Sequence, residues 1–429
     1  MIVKEDKIKE KIKYLVKEYF SSKTKEFIPG KTKIPLSVPS YSWEEAYEAI
    51  ESILTTWVTM GEKVKKFEEM FAEYIGVENA VMVNSGSSAN LLALSVLTNP
   101  IVKDRIQEGE EIITPAITWS TTVFPIINVG AVPVLVDVDL NTYTIDTNEV
   151  EKAITDKTSA IMLVHLLGNP CDMKEIIKIA EEHDLFVIED CCEAHGAEFN
   201  GKKVGSFGDI STFSFFFSHH ISTIEGGMIL TDNEEYGEIA KSLRAHGWIR
   251  ELKNKDKIAA EYPEIDERFL FINIGFNLRP TEIQGAFGIH QIKKLDKFIE
   301  IRRKNAIYWT KKLEKYSDYL ILPKGRINTK HVWFGNPITV KPTAPFTRKE
   351  FVDFLEKKGI ETRPIMAGNI VEQPVMKLFK YRKVGDLNNS KFIMRNSFFF
   401  GNHQGIGKAE REYIVDCISE FIEQKVRRI

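Results

Sequence analysis

The chain has 429 residues, of which 43% are hydrophobic and 28% are charged, and its formal net charge at pH 7 is -3. This composition is typical of a folded globular protein. Because the net charge is small and no long basic run occurs, the sequence predicts no nucleic-acid partner. No apolar run reaches the roughly 18 residues that a membrane span needs, so no membrane partner is expected.

Cysteines are few and dispersed along the chain. Cys191 and Cys192 are neighbours, whereas Cys171 and Cys417 stand apart. Adjacent cysteines rarely satisfy the geometry of a disulfide, and such cysteine usage is typical of a reducing compartment. The N-terminal stretch is interrupted by charges throughout, unlike a signal peptide. The expected location is therefore the cytoplasm.

The first 42 residues are expected to form a helix followed by an arm. Ile8, Ile12, Leu15, Val16 and Phe20 recur at helical spacing, which predicts an amphipathic helix. The polar stretch that follows contains three prolines and is typical of an extended arm.

From about residue 77, short apolar runs alternate with helical stretches. The runs cover residues 80–83, 111–117, 132–139, 159–165 and 185–190. Runs that are apolar at every position predict strands buried on both faces. We therefore expect a mostly parallel sheet with helices on both sides.

After residue 281 the pattern becomes helical and then changes to a smaller α+β arrangement. It predicts a strand near 331–340, a helix over 348–359 and a closing helix near 408–425. The predicted division is an N-terminal helix and arm (1–42), a large domain (43–310) and a small C-terminal domain (311–429).

Two turns that follow predicted strands carry residues suited to ligand binding. The turn NSGSSAN (84–90) precedes a helix, where backbone N–H groups can bind a phosphate, although serine-rich turns often only cap a helix. Trp119 follows another strand, at the edge where open α/β sheets bind ligands. Its indole could stack on an aromatic ring or simply pack in the core.

Two later segments contribute acidic and imidazole side chains. One apolar strand ends in Glu189 and Asp190, and a buried acid needs a partner. A pyridinium nitrogen is one such partner, and a helix N-terminus is another. The segment 211–230 contains Ser214 and the pair His219–His220. In an extended chain, one histidine would face a site and the other would pack, although by itself such a pair is more often structural.

Taken in this order, the four segments resemble the fold-type-I enzymes that depend on pyridoxal phosphate (PLP). They are most similar to the DegT/DnrJ/EryC1/StrS sugar aminotransferase family of nucleotide-deoxysugar biosynthesis. The resemblance covers nearly all of residues 30–420 and implies an aspartate-aminotransferase-like fold, with a central, mostly parallel sheet and a smaller C-terminal α+β domain. The family's Schiff-base lysine is replaced here by His219. The segments FFSHHISTIEGG, RAHGWIR and RPIMAGN resemble its sugar 3-dehydratase branch, of the GDP-4-keto-6-deoxymannose type.

This resemblance implies removal of the 3-hydroxyl from a nucleotide-linked 4-keto-6-deoxy sugar. Histidine cannot form a Schiff base, so the cofactor, PLP or pyridoxamine phosphate (PMP), would be held non-covalently. Glutamate would supply the amino group and leave as 2-oxoglutarate, and ammonia would be released. His219, with an unperturbed pKa near 6.5, would act as the catalytic base.

Further residue roles follow from the same resemblance. The residues expected to hold the cofactor phosphate are Gly86, Ser87, Ser88 and Ser214. Trp119 is expected to stack on the cofactor ring, Asp190 to pair with the ring nitrogen, and Glu193 to lie beneath the cofactor. Asn277 is expected to reach the phosphate of a neighbouring subunit, which implies a homodimer with shared sites. His246 and Arg250 are candidates for binding the donor carboxylate or the substrate, unless they form only a surface salt bridge.

Three alternatives stay open. The first is an ordinary sugar aminotransferase whose lysine comes from elsewhere; Lys202 and Lys203 are near in sequence, but in a predicted hairpin. The second is the family's iron–sulfur dehydrase, whose cluster needs four thiolate ligands. The corresponding stretch, 244–269, contains no cysteine, so we expect no metal and no partner reductase. The third is a non-catalytic protein that binds a nucleotide sugar, against which the retained Trp119 and Asp190 argue.

Overall fold

The computed structural model describes residues 2–23, 26–322 and 324–427. The helices are α1 (Ile2–Ser21), α2 (Trp43–Leu54), α3 (Glu62–Ile75), α4 (Gly86–Leu97), α5 (Ser120–Asn128), α6 (Thr147–Ala153), α7 (Met173–Glu182), α8 (Glu234–Arg244), α9 (Lys255–Glu261), α10 (Glu282–Gln291), α11 (Leu295–Leu313), α12 (Arg348–Lys357), α13 (Asn388–Asn396) and α14 (Lys408–Val426). The strands are β1 (Asn79–Val83), β2 (Glu111–Pro115), β3 (Val132–Val136), β4 (Thr158–Val164), β5 (Phe186–Asp190), β6 (Glu198–Phe199), β7 (Lys202–Lys203), β8 (Ile210–Ser214), β9 (Gly227–Thr231), β10 (Leu320–Ile321), β11 (Thr329–Lys330), β12 (Gly335–Val340), β13 (Thr362–Pro364), β14 (Arg382–Lys383) and β15 (Ser397–Gly401).

The main sheet has eight strands in the order β1-β9-β8-β5-β4-β2-β3-β14. The pairs from β8 to β14 are parallel, and only β9 runs antiparallel to its neighbours β1 and β8. Every residue of β2, β3, β8 and β9 is buried. The prediction of a mostly parallel sheet with both faces covered is therefore confirmed.

Helices pack on the two faces of this sheet with separate apolar clusters. On one face, Leu92 of α4 packs in a cluster with Ile188 of β5. On the other face, Phe67 and Phe71 of α3 pack with Phe213 of β8. The five predicted apolar runs correspond to β1 to β5. The runs 111–117 and 132–139 extend past the observed strands, which end at Pro115 and Val136.

A second sheet, β10-β12-β15-β13, lies in the C-terminal part of the chain. Its core contains Trp309 of α11 and Phe351 of α12, and the N-terminal arm joins it through Ile34, which pairs with Ile360. The predicted N-terminal helix is α1; residues 24 and 25 of the arm lie outside the described residues. The boundary at residue 310 stays a prediction: α11 runs through it, and β14 pairs with β3 of the main sheet.

None of the helices described for this chain is long and apolar enough to cross a membrane.

Candidate active site

A cavity of about 430 Å³ opens where β1, β2, β5 and β8 end. Seven residues singled out in the sequence line it, namely Gly86, Ser87, Trp119, Asp190, Glu193, Ser214 and His219. The carboxyl ends of parallel strands are where open α/β sheets bind ligands. One chain therefore brings most of the predicted site together.

The start of α4 forms an anion cradle with Ser214. Ser85 caps the helix, since its Oγ accepts the Ser88 N–H at 3.1 Å. A Cβ on Gly86 would lie 2.5 Å from the Ser214 Cβ, so only glycine allows the helix to approach this hydroxyl so closely. The free N–H groups and the helix dipole favour an anion at this end. The cradle of Gly86, Ser87 and Ser214 fits a phosphate.

Ser88 belongs to the cap rather than to the cavity wall. Its hydroxyl donates to the Asn84 Oδ1 at 2.6 Å, and its N–H is bound by Ser85. Ser88 is not among the residues that line the cavity. Its contact with a phosphate stays a prediction.

Asp190, at the end of β5, is held by three donors. Its Oδ2 accepts from the Asn90 amide at 2.9 Å and the Thr122 hydroxyl at 2.8 Å, and its Oδ1 accepts the Cys192 N–H at 3.1 Å. The Asn90 amide is oriented in turn by the Thr212 hydroxyl, which donates to the Asn90 Oδ1 at 2.6 Å. With only 5% of the residue exposed, this carboxylate is a rigid acceptor for a protonated ring nitrogen.

Sequence reasoning did not single out Asn90, Thr122 or Thr212 as part of this site. Asn90 ends the turn 84–90 noted above, and Thr122 follows Trp119 by three residues, so both lie next to predicted site residues. Their roles could not be predicted, because a hydrogen bond between residues 100 positions apart, such as that between Asn90 and Asp190, leaves no local pattern.

Trp119 immediately precedes α5 and is 56% exposed at the cavity. A tryptophan that only packed in the core would be largely buried. The indole is therefore available to a planar ligand, and its stacking role stays a prediction.

The two adjacent histidines point to different places, as predicted. His219 lines the cavity, whereas His220 is fully buried with its Nε2 3.2 Å from the Val332 carbonyl oxygen. The backbone is a turn and not an extended strand, since the His219 N–H donates to the Phe216 carbonyl at 3.0 Å. The turn, not strand alternation, separates the two rings.

The surroundings of His219 disfavour its protonated form. Although the side chain keeps some surface toward the cavity, burial, reinforced by the Arg302 guanidinium, lowers its pKa to about 3 against an opposing effect of the nearby Cys192 backbone. Arg302 itself is 1% exposed and donates to the carbonyl oxygens of Phe334, at 3.0 Å, and Asn402. The ring of Phe334 lies 5.2 Å from that of His219. The imidazole is therefore neutral at physiological pH, which is the form that can accept a proton.

Glu189, the buried acid beside Asp190 on β5, and Glu193 differ in the number of groups that bind their carboxylates. Glu189 is a support: it accepts the N–H groups of Gly205, Phe207 and Gly208 at 2.7–2.8 Å and lies 3.0 Å from the His165 Nε2. Glu193 accepts one N–H, from Leu167, at 2.7 Å. Burial, together with the charge of Asp190, raises the pKa of Glu193 to about 8.

His165, Glu189 and Cys191 are close enough together to suggest a metal site. Both ring nitrogens of His165 are already engaged, Nδ1 by the Cys171 N–H at 3.0 Å and Nε2 by Glu189. The group is therefore a hydrogen-bonded support for the end of β5.

No lysine lines the cavity among the residues that the structure describes. Lys202 and Lys203 lie in the predicted hairpin, formed by β6 and β7. The Lys202 Nζ donates to the Ser206 carbonyl at 2.6 Å, and the Lys203 Nζ lies over the Tyr74 ring. The cavity thus offers an imidazole where an aminotransferase needs an amine.

His246, Arg250 and Asn277 lie apart from this cavity, on the surface segment 244–279. The chain there doubles back, with Ala245 paired to Asn277. The Arg250 guanidinium lies 3.9 Å above the Trp248 ring. A larger groove of about 1020 Å³ contains Arg250 but none of the cavity residues. One copy of the chain does not bring these three residues to His219.

Comparison with known proteins identifies the family. The profile described as the DegT/DnrJ/EryC1/StrS aminotransferase family matches residues 41–419. GDP-4-keto-6-deoxy-D-mannose 3-dehydratase of Escherichia coli O55:H7 is 44% identical over 370 residues, covering 85% of this chain and 94% of that protein. The lipopolysaccharide biosynthesis protein RfbH of Salmonella typhimurium is 37% identical over 429 residues, covering 96% of this chain and 98% of that protein.

Solved structures agree with this assignment. The E. coli GDP-4-keto-6-deoxy-D-mannose-3-dehydratase with bound hydrated PLP has a TM-score of 0.85 and 40% identity, and covers 90% of this chain and 99% of that one. A GDP-4-keto-6-deoxymannose-3-dehydratase with a trapped PLP-glutamate geminal diamine gives the same TM-score and identity, covering 90% and 100% of the two chains. The chain therefore belongs to the DegT/DnrJ/EryC1/StrS aminotransferase family and has the fold of these PLP-dependent enzymes.

Proposed function

We propose that this chain is a PLP/PMP-dependent 3-dehydratase that removes the C3 hydroxyl of a nucleotide-linked 4-keto-6-deoxy sugar of the GDP-4-keto-6-deoxymannose type. Glutamate is the amino donor, and ammonia is released. The observation that carries this proposal is His219, a neutral imidazole in a cavity that no lysine of the described chain lines. Relatives that bear this activity in their names match 85% or more of the chain.

The residues of the cavity fit the cofactor. Gly86, Ser87 and Ser214 would hold the phosphate at the start of α4, Asp190 would pair with the ring nitrogen, and Trp119 would stack on the ring; all five residues line the cavity. When bound, the cofactor supplies an electron sink for breaking bonds on the attached carbon skeleton. Asn90 and Thr122 donate to the Asp190 Oδ2 and would hold this carboxylate in place for the ring nitrogen.

His219 takes up a proton and leaves the cofactor untethered. Its low pKa keeps the imidazole unprotonated at neutral pH, which is the form that a general base requires. A lysine at this position would compete to bind the cofactor covalently and return it to the resting state with release of an amino sugar. The imidazole cannot do so, and the reaction is left to end in loss of the hydroxyl.

The complete site is shared between two copies of the chain. Asn277 is exposed on a surface that also presents Ile274, 97% exposed, and Phe269 and Phe271, about half exposed. Apolar surface of this kind is typical of a protein–protein interface. In a homodimer, Asn277 of one protomer reaches the phosphate cradle of the other, and His246 and Arg250 come with it to bind the donor carboxylate or the substrate.

Three further assignments, of location, redox partner and domain division, accompany this function. The protein is assigned to the cytoplasm because its four cysteines are free, in keeping with a reducing compartment. It works without a reductase, since the stretch 244–269 offers no thiolate for an iron–sulfur cluster. The division into 1–42, 43–310 and 311–429 is supported by the separate sheet of the C-terminal part.

The test is to incubate the purified protein with PLP, glutamate and a panel of GDP-, CDP- and dTDP-4-keto-6-deoxy sugars. We expect free ammonia and a sugar product that lacks one oxygen, with no reductase added, and the nucleotide that gives the fastest release identifies the substrate. A stable amino sugar without free ammonia would assign the protein to the aminotransferases instead.

A further inference from the structure

The proposed reaction takes one proton from carbon and delivers one proton to the departing hydroxyl, which leaves as water. A neutral imidazole with a pKa of about 3 starts without a proton, so His219 alone would have to act first as the base and then, as an imidazolium, as the acid. A second cavity group that holds a proton at neutral pH would divide these two tasks between two side chains.

Glu193 has the surroundings of such a group. It lines the cavity and is 9% exposed. Its Oε2 accepts the Leu167 N–H at 2.7 Å. Among the described residues its Oε1 has neither a hydrogen-bond partner nor full burial, so this oxygen faces the cavity. No Lys, Arg or His side chain of the described chain comes within ion-pair distance of Glu193, in contrast to Glu189, which pairs with His165.

We propose that Glu193 is the general acid of this site, which enters the reaction protonated and gives its proton to the hydroxyl that leaves the sugar. This assignment rests on the proposed dehydratase function. It adds a catalytic role to a residue that was expected only to lie beneath the cofactor.

The acid lies on the short turn after β5, and the base faces the same cavity. Cys192, Glu193 and His219 all line that cavity, and Glu193 follows Cys192 directly in the chain. The turn is held close to its neighbours, because a Cβ on Gly168 would lie 2.9 Å from the Glu193 carbonyl oxygen. Two titratable groups whose surroundings shift their pKa values in opposite directions are the usual mark of an acid–base pair.

The charged and titratable groups that face the same cavity are Asp190, Cys192, His219, Glu225 and Arg363. Asp190 favours the protonated form of Glu193, as its charge raises the pKa together with burial. Arg363, on the opposite wall, has Glu361 at 3.8 Å. Behind the turn, the charge of Glu189 is balanced by His165.

The step balances without an oxidant or a reductant. His219 takes the proton of a C–H bond, and the electron pair of that bond moves toward the sugar. The C3–O bond breaks, and its electron pair leaves with the oxygen, which binds the Glu193 proton and departs as water. Glu193 is left as a carboxylate and His219 as an imidazolium. A proton returned from the imidazolium to the carboxylate, directly or through solvent, restores both groups.

Infrared spectroscopy of the full-length protein, with and without PLP, tests this proposal without relying on turnover. We expect a carbonyl band of a protonated carboxyl group at pH 7 that is absent in Glu193→Gln and disappears in the wild type with a midpoint near pH 8. The band should persist in Glu225→Gln, which replaces an exposed carboxylate of the same cavity. Absence of the band in the folded wild type at pH 7 would overturn the proposal, whether or not the enzyme is a dehydratase.

Kinetics provide the second measurement. Glu193→Gln should lower the rate of ammonia release by roughly 10²-fold, since general acids contribute about 10²–10⁴-fold, and should remove the loss of activity above pH 8. Glu193→Asp should recover part of the rate. An unchanged rate and pH profile in Glu193→Gln would contradict the acid role, while no ammonia from the wild type with any sugar would count against the proposed function and leave the infrared result standing.

Discussion

The predicted site residues lie in two regions of the molecule that are built in different ways. The cavity residues come directly after strands of one sheet, so the fold of a single chain assembles them. His246, Arg250 and Asn277 lie on the segment 244–279, and none of the three lines the cavity. The ends of strands in one sheet thus fix the relative positions of side chains within one chain, whereas side chains on a surface segment are placed in a site only by what packs against that segment. In our account, that is a second copy.

The largest expected effect is at the centre of the cavity. His219→Asn should reduce ammonia release by about 10²–10⁴-fold, because it removes the base. The binding of PLP should persist, since the cradle and Asp190 are untouched, and the absorbance of bound PLP measures it. A variant that keeps more than a tenth of the wild-type rate would show that His219 is not the base.

The Glu193 carboxyl in the cavity is also expected to lower the free energy of unfolding at neutral pH. Glu193 has a pKa of about 8 in the fold against 4.5 when exposed, so the folded chain holds the extra proton between these values. Its contribution to stability is present below pH 4.5 and is lost as the pH rises toward 8. Glu193→Gln, which does not titrate, should therefore be more stable than the wild type by up to about 3 kcal/mol at pH 7.

Thermal unfolding of both proteins from pH 5 to pH 8 checks this expectation. The difference in Tm should grow with pH, and Glu225→Gln, at an exposed position of the same cavity, should show no such growth. A constant difference between wild type and Glu193→Gln would mean that the Glu193 carboxyl is not protonated in the fold.

The phosphate cradle should tolerate no side chain at its closest approach. The added Cβ of Gly86→Ala would lie 2.5 Å from the Ser214 Cβ, and overpacking of this kind costs about 1–3 kcal/mol. We expect PLP affinity to fall by roughly 10- to 100-fold, measured by titration of the apoprotein. Ser214→Gly combined with Gly86→Ala removes the Ser214 Cβ and should relieve the clash; unchanged affinity in Gly86→Ala alone would place the phosphate elsewhere.

Mixing two inactive variants tests whether the surface segment completes a partner's cavity. If sites are shared, a His219→Asn chain and an Asn277→Ala chain form mixed dimers in which one site has both wild-type residues. Activity should recover to about a quarter of the wild-type value, the statistical share of such sites in a dimer. Arg250→Ala in place of Asn277→Ala should behave alike, and no recovery with either partner would confine the site to one chain.

The smallest effect is expected at Ser88, which lies outside the cavity wall. Ser88→Ala removes a hydroxyl that binds Asn84 but leaves the backbone N–H that Ser85 caps. PLP affinity should change by less than about 3-fold, equivalent to under 1 kcal/mol. A loss comparable to that of Gly86→Ala would return Ser88 to the phosphate site.

The sequence predicted β1 to β5 well because each contains a short run of mostly apolar residues, and strand ends in turn placed Trp119, Asp190 and Ser214 at one edge. It also predicted that the side chains of His219 and His220 would point to different places. The prediction assumed the alternation of an extended strand, whereas the structure has a turn. The hydrogen bonds from Asn90 and Thr122 to Asp190 could not be predicted from the sequence, since they join residues far apart in the chain. Arg302 carried no signal either, because nothing in a helical stretch shows that an arginine will be buried against backbone carbonyls near a histidine.

Mass spectrometry of the sugar products of the wild type and of His219→Lys, with PLP, glutamate and the preferred nucleotide sugar, decides what the imidazole at position 219 does. We expect the wild type to release ammonia and a sugar that lacks the C3 oxygen, and His219→Lys to lose this activity and shift toward an amino sugar that retains it. The same amino sugar from both proteins, with the C3 oxygen intact, would contradict the account that the imidazole at position 219 makes this enzyme a dehydratase.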